Sequence, residues 1–521
     1  MANFCDRWIA LIPKFYPKSW RKLGYYLGLG GAIAALIILG FNPQAIAYKK
    51  SHLAQLIDTN ACLSCNLQAA PLGGRDLRGA DIEDANLRQA DFKGAKLQGA
   101  NLLGANLQDA DFQNANLGAA NLEGADMQRV QLPGVYMYRA NLENVLATNA
   151  NMARVNLGGS NLQRADFSSA TLEDASLKNA DLRRASFALA DLTEANLERG
   201  DLRGSNFVEA NLTDATLKYA DLRGAHFGQA NLFRTNFKST TLDSETALDS
   251  KSLLIWELVN EPALGVDLTS QDLSGANLES VTLLGADLTE TNLAGAYLFI
   301  VNGQGGRFAQ SNWEEAALKY VEFNNADLQD ANFHGAEIRN TDFRGADLRG
   351  SDFREAQIET TDFRGAQFQL ANLANIKLEA GTLIDPKWEQ ISKLQTLGAQ
   401  GQALQRADLS DAYLAGMNFQ RAILTGANLR GADLSNADLT NARVADVDFT
   451  DANLEGTIFN NTYVCRTTLA IAPPDFCGYW NGEPPEPEAA PDAETTPNSN
   501  PTPDPTTTPN SDAIPQPSSG Q

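Results

Sequence analysis

The chain has 521 residues, 43% hydrophobic and 20% charged, which is ample for a buried core and unlike a wholly disordered protein. Its formal net charge of −23 disfavours nucleic-acid binding, which needs basic surface to displace counterions. The charge is uneven, since residues 1–50 carry +6, residues 483–521 carry −7 and the remainder carries −22.

Residues 1–23 form a basic segment with Arg7, Lys14, Lys18, Arg21 and Lys22, followed by an uncharged stretch of 18 residues, 24–41, rich in Leu, Ile, Ala and Gly. That length just spans a bilayer, so the stretch reads as a transmembrane helix acting as a signal-anchor. Trp8, Phe15, Tyr16 and Trp20 fall near one interface. The five bases before the span outweigh Lys49 and Lys50 after it, so the N-terminus is expected in the cytoplasm and the rest outside. The alternative is a signal peptide cleaved near Ala47, after the small-x-small run Ala45-Ile46-Ala47. Residues 42–61 read as a linker.

From Leu67 onward a large apolar residue returns every fifth position. The first run holds one phase from Leu67 to Leu242 over 36 positions, with Ala147 as its one small residue. The second covers 23 positions from Leu268 to Leu378 with Gly303 as its blank, and the third covers 13 from Leu404 to Val464. Neither a helix, at 3.6 residues per turn, nor a strand, at two, presents such a set on one face. The chain must therefore turn a corner every five residues. A small residue two places earlier (Ala85, Ala90, Ala95) fits where backbones crowd, and an Asp, Asn, Ser or Thr directly before the apolar residue can bond turn backbone. The other two positions read as solvent-exposed and free to vary.

Aromatic residues give the coil length. Phe167, Phe187, Phe207 and Phe227 are spaced by twenty, as are Phe323, Phe343 and Phe363 and also Trp313, Phe333 and Phe353. Twenty residues per coil means four pentads and a square section. With about 4.8 Å per coil, the 72 pentads give 18 coils and a rod of roughly 86 Å if all are stacked.

Ala85-Asn86-Leu87-Arg88-Gln89, Ala100-Asn101-Leu102-Leu103-Gly104 and Ala346-Asp347-Leu348-Arg349-Gly350 resemble the A-[DN]-L-x-x motif of pentapeptide-repeat proteins. The resemblance covers about 400 of the 521 residues, and with the Cys62-x-x-Cys65 lead-in it is greatest to cyanobacterial members. It implies an all-β solenoid, a right-handed quadrilateral β-helix. It implies no activity, because the family shares a scaffold rather than an active site.

The repeat segments are thus 62–242, 268–383 and 404–464, separated by insertions at 243–267 and 384–403. The insertions are copies at an offset of 136, with Asp249 matching Asp385, Lys251 matching Lys387 and Ile255 matching Ile391. Each predicts a short helix that caps one stack and hands the chain to the next, with Pro386 in the first turn and Gly398 after the second helix. A partner-docking role for the insertions rests on Trp256 and Trp388. Two softer irregularities are Val130 to Tyr138, read as a local bulge whose Tyr136 and Tyr138 are further partner-docking candidates, and the Val301 to Gly306 stretch, where the missing inward side chain at Gly303 opens the wall. The latter lacks the Gly-Lys-Ser/Thr and strand-to-helix context of a phosphate loop.

Residues 465–482 read as a C-terminal cap. Residues 483–521, rich in Pro, Thr and acids and without aromatics, read as a disordered tail. Cys62 and Cys65 fall on the apolar and small phases of a first, capping coil, so core packing is expected with or without a disulfide; a metal site or dithiol chemistry is the alternative. Cys465 and Cys477 are placed to staple the cap in an oxidising compartment. His52, His226 and His334 stand alone, and the many Asp residues recur as turn formers. The reading is accordingly of a non-enzyme without cofactor, catalytic residue or metal.

Together these features point to a single-pass, membrane-tethered repeat rod, in the periplasm or thylakoid lumen, serving as a scaffold or a surface for an unidentified protein partner. The alternative, which the resemblance brings in, is a DNA-mimicking regulator of a topoisomerase or another DNA-binding enzyme. Acidity and rod shape fit that alternative, whereas export opposes it.

Overall fold

A computed structural model of the chain describes residues 48–469 and 476–480. The predicted span 24–41, the cleavage point at Ala47 and the tail 483–521 lie outside the described residues.

Each pentad is one short extended segment and one corner. At the corner the N–H three residues after the apolar residue bonds back to that residue's carbonyl, as in Ala70 to Leu67 (3.0 Å) and Ala80 to Leu77 (3.0 Å). The second residue after the apolar one takes positive φ (Gly79 at 62°, Asp84 at 53°, Arg184 at 60°), the third-position geometry of a tight turn. Glycine, Asn and Asp suit that geometry, and the Arg, Glu and Leu residues found there are less at ease. The residue before the apolar one closes a second turn with its side chain, as when Asn101 Oδ1 accepts from Leu103 N–H at 3.3 Å.

Twenty residues carry the chain once around. Parallel pairs join Asp81 to Asn101, Asn86 to Asn106 and so on along the first segment. In the second, the six short strands β1 (Asn277–Glu279), β2 (Tyr297–Phe299), β3 (Ala317–Lys319), β4 (Glu337–Arg339), β5 (Gln357–Glu359) and β6 (Lys377–Leu378) form one parallel sheet at the same register. Every fifth apolar side chain and the small residue two before it point inward. Phe167, Phe187, Phe207 and Phe227 stack with ring centroids 5.2, 5.1 and 5.0 Å apart. The square, four-pentad coil predicted from aromatic spacing is thus the one observed.

Both predicted insertions contain a helix, α2 at Ser250–Asn260 and α3 at Pro386–Leu397. They do not interpose between stacks. The backbone ladder crosses each joint directly, from Arg234 N–H to the Gly275 carbonyl (2.6 Å) and, 136 residues on, from Leu370 N–H to the Asp411 carbonyl (2.7 Å). Each helix covers the part of the last coil that lacks a successor: Asn260 Nδ2 bonds the Phe237 carbonyl at 3.1 Å, and Gln395 Oε1 accepts from Leu373 N–H at 2.7 Å. The Arg234 guanidinium then reaches the Gly295 carbonyl (2.6 Å) in the following coil.

The ends are closed differently. The expected linker 42–61 contains a helix, α1 (Lys50–Thr59), which buries Leu56 on the first coil. Its Leu53, Leu56 and Ile57 have helical spacing, a signal too short to stand out beside the pentads. At the other end β8 (Thr462–Cys465) pairs in parallel with β7 (Arg443–Ala445) and antiparallel with β9 (Cys477–Trp480). The antiparallel strand covers an edge that would otherwise recruit another chain.

Val130 to Tyr138 does not bulge. The ladder runs through it from Gln131 to Asn151 and from Tyr136 to Asn156. Nor does Gly303 open the wall, because Phe308 and Phe323 fill the vacant site, and a Cβ there would lie 2.8 Å from the Phe323 ring. The rings of Phe308 in the next pentad and Phe323 one coil on occupy the volume, as close packing requires.

Candidate functional site

The outward positions carry an ordered chemistry that their variable sequence hid. Where Asp precedes the apolar residue and Arg follows it, the two form a two-pronged ion pair within one pentad. Arg203 Nε meets Asp201 Oδ1 at 2.8 Å, and Arg223, Arg344, Arg349 and Arg364 repeat the geometry with Asp221, Asp342, Asp347 and Asp362. The signal was present in the Asp-Leu-Arg and Asp-Phe-Arg tripeptides. Hydrogen bonds from Arg223, Arg344 and Arg364 hold the Asp221, Asp342 and Asp362 carboxyls below their ordinary range. Elsewhere Asn side chains form ladders along the rod, as in Asn121 to Asn101 (3.2 Å), Asn141 to Asn121 (3.0 Å) and Asn161 to Asn141 (3.0 Å). These acids and amides pair along the surface and do not converge on a point.

The residues singled out from sequence lie apart. Cys62 and Cys65 are both buried and joined by a disulfide, with Cα atoms 5.5 Å apart, and Cys465 and Cys477 are joined across β8 and β9 with Cα atoms 4.1 Å apart. His52, on α1, completes with Cys62 and Cys65 a cluster whose ligand atoms lie within 4.8 Å of one another. Its Nδ1 already accepts the Asn66 N–H at 2.9 Å. An imidazole accepting at Nδ1 carries its proton on Nε2, so no lone pair is left over for a metal while that bond holds. The imidazole here serves the first coil's backbone.

Both tryptophans make contacts at their joints. Trp388 is 6% exposed and lies 5.8 Å from the Phe368 ring, and Trp256 donates from Nε1 to Thr240 Oγ1 at 2.9 Å. Trp388 is thus nearly enclosed at its joint, whereas Trp256 is partly buried there. Tyr136 and Tyr138 are outward, 43% and 38% exposed, with ring centroids 6.1 Å apart. Phe233 and Arg234, unremarked in the sequence, are what the first joint is built on. The Phe233 ring lies so close over Gly275 and Gly295 that a Cβ on either would collide with it.

This fold and surface define a class: a four-sided solenoid whose inward residues hold the stack and whose outward ones form a long, low-relief surface. The sequence profile described as "Pentapeptide repeats" matches residues 65–104, 105–144, 150–188, 172–207, 190–229, 210–244, 265–298, 304–335, 326–365, 341–379 and 404–441, more than half of the chain. The chain belongs to the pentapeptide repeat family. No curated protein sequence matches it. Among solved structures it is similar to HetL, a pentapeptide repeat protein involved in heterocyst differentiation regulation from the cyanobacterium Nostoc sp. strain PCC 7120, at 24% identity over 50% of this chain and 91% of that one, TM-score 0.21. It is also similar to QnrB1, a plasmid-mediated fluoroquinolone resistance protein, at 18% identity over 38% of this chain and 96% of that one, TM-score 0.31. A pentapeptide repeat protein from the thylakoid lumen of Arabidopsis thaliana shares 26% identity over 26% of this chain and 76% of that one, TM-score 0.13.

Proposed function

We propose that the chain is a non-enzymatic scaffold rod, held in a membrane by residues 24–41 with its repeats outside the cytoplasm, that presents its faces to other macromolecules. The observation that carries this reading is a surface of repeating, mutually paired side chains along three directly joined stacks. Such a surface suits binding over a length better than chemistry at a point. Export is supported by the cysteines: of the five in the chain, four pair at the two ends of the rod, as in proteins of oxidising compartments. Among the described residues no helix is long and apolar enough to cross a membrane, so the anchor rests on the composition of residues 24–41 and their basic flank.

The test is topological. Protease added to the exterior face of spheroplasts, or to the lumenal face of opened thylakoids, should reach the chain beyond Trp480, and alkaline carbonate should leave the rod in the membrane pellet. Carbonate release with a new N-terminus at Tyr48 would show a cleaved, exported rod. Recovery from the cytosol with Met1 intact would defeat both forms and move the DNA-mimic reading to first place.

A further inference from the structure

The net charge of the rod conceals one face of the opposite sign. In the first stack the bridges Asp76–Lys96, Lys96–Asn116, Asn116–Tyr136 and onward to Asn236 define the face whose inward residues run from Leu77 to Phe237. Its outward positions carry seven bases against two acids, Asp76 and Glu198. The other three faces carry three bases against seven acids, five against nine and two against four. Arg78, Lys96, Arg139, Lys178, Arg199 and Lys218 form the basic stripe, while Lys238 turns into the joint and donates to the Val259 carbonyl at 2.6 Å. Much of the stripe is ion-paired, Arg78 with Asp76 (2.6 Å), Lys178 with Glu198 (2.7 Å), Arg199 with Glu198 and Lys218 with Glu279 (2.8 Å). Lys96 and Arg139 are exposed.

The same face gathers the outward aromatic residues. Tyr136, Tyr138 and Tyr219 lie on it, and the Lys218–Glu279 pair carries it across the joint into the sheet of β1 to β6, where Tyr297, Phe299 and Tyr320 follow. Between residues 62 and 378 the other outward aromatic, Phe233, is spent in the joint. The face is also smooth. Tyr136 lies against Gly118 and Tyr138 against Gly158, where an added Cβ would sit 3.0 and 3.1 Å from the rings. Tyrosines laid flat on glycine among lysines and arginines make a level surface with no groove.

We propose that this face docks on an anionic lipid bilayer, so that the rod lies along the membrane and turns its acidic faces away. Opposite walls stand about 10 Å apart at the backbone, farther at the charges, and the Debye length is about 8 Å at physiological salt. A charged plane therefore responds to the nearest face more than to the molecule's net charge. Lysine and arginine seek anionic headgroups, and tyrosine sits at the headgroup level. The basic stretch is the first-stack part of the face, since in the sheet of β1 to β6 Lys319, Arg339 and Lys377 are offset by Glu279, Glu337, Glu359 and Glu379. Along the first stack a flat basic surface meets a flat anionic one, whereas a protein hot spot needs pockets and a single strand needs a groove. The proposal does not require the anchor, because an untethered rod would use the same face.

The experiment places the full chain on supported bilayers of phosphatidylcholine, with or without phosphatidylglycerol as the anionic component, and measures the protein layer by neutron reflectometry. The expected layer on the anionic bilayer is one rod-width thick. On phosphatidylcholine, or at high salt, it should thicken toward the rod's length, roughly 86 Å. Lys96→Glu/Arg139→Glu/Lys178→Glu should abolish the thin layer. Lys93→Glu/Arg154→Glu/Arg164→Glu, with the same change in net charge on other faces, should leave it. Both variants are first checked for an unchanged melting profile, and if the first fails it, K96Q/R139Q takes its place. Equal thickness on both lipids, or equal loss with both variants, overturns the proposal, as does preference of the face for single-stranded DNA or an acidic protein over vesicles. Wash-off from phosphatidylcholine alone would instead refute the anchor while leaving the lying rod intact.

Discussion

At the scale of single residues the rod is held by a strict division between inward and outward positions. Phe187 is fully buried between Phe167 and Phe207, while Glu194 occupies a corner. Phe187→Ala should cost roughly 3–5 kcal/mol and Glu194→Ala under about 0.5 kcal/mol, as read from chemical denaturation; equal losses would refute the inward assignment. The Asp–Arg pairs predict a pH response. Hydrogen bonds from Arg223, Arg344 and Arg364 depress the Asp221, Asp342 and Asp362 carboxyls from their ordinary 3.8, and Arg78 draws Asp76 down to about 2. A depressed carboxyl contributes its stability fully above its unfolded value and loses it as pH falls through the folded one. Melting temperature should accordingly be level from pH 7 to about 5 and decline below about 4, with Asp76 the last to protonate. These pairs are exposed, so the decline should be shallow and further reduced by salt.

At the scale of elements the two helical insertions differ where the sequence made them look alike. Asp249 accepts the Ser252 N–H at 2.9 Å as a true N-cap, whereas Asp385 makes no side-chain cap bond and Pro386 supplies the helix start instead. Asp249→Ala should therefore destabilise by about 1 kcal/mol and Asp385→Ala by clearly less, measured as the shift in denaturation midpoint. A larger loss at Asp385 would mean the caps had been assigned the wrong way round. The docking role expected of Trp256 and Trp388 rested on the tryptophans themselves, which do not correspond at the offset of 136. A tryptophan on an amphipathic helix has two uses, presentation or packing, and only the position of the neighbouring coil separates them.

At the scale of the molecule, stability in such an array is a sum of coils and the interfaces between them. The first joint depends on Phe233 over two glycines and on Arg234 bonded to the backbone of the next stack. The Phe233→Ala/Arg234→Ala double variant should keep both stacks folded yet uncouple them. One denaturation transition should then separate into two, followed by circular dichroism and by intrinsic fluorescence of Trp313, buried in the second stack. A single unsplit transition at lower midpoint would show that the joint is not the weak coupling. The second joint repeats the first joint's backbone bond, from Leu370 to Asp411, but has Gln369 and Leu370 where the first has Phe233 and Arg234.

The pentad period, the twenty-residue coil and the inward set were legible in the sequence because each follows from local spacing, and a corner every five residues leaves the chain one way to bury its apolar column. The helices of the insertions were legible for the same reason, in the leading Asp249 and Asp385, in Pro386 and in Gly398. What only the tertiary structure decided was what depends on how one coil lies against another. The filling of the Gly303 vacancy by Phe323 of the next coil, the bonding of His52 Nδ1 on the capping helix to Asn66 and the direct crossing of the ladder at Arg234 each join separate coils or elements of the chain. The basic face belongs to this second kind. Its residues are diluted in sequence by three acidic faces and become one surface only when the coil brings every twentieth position into line.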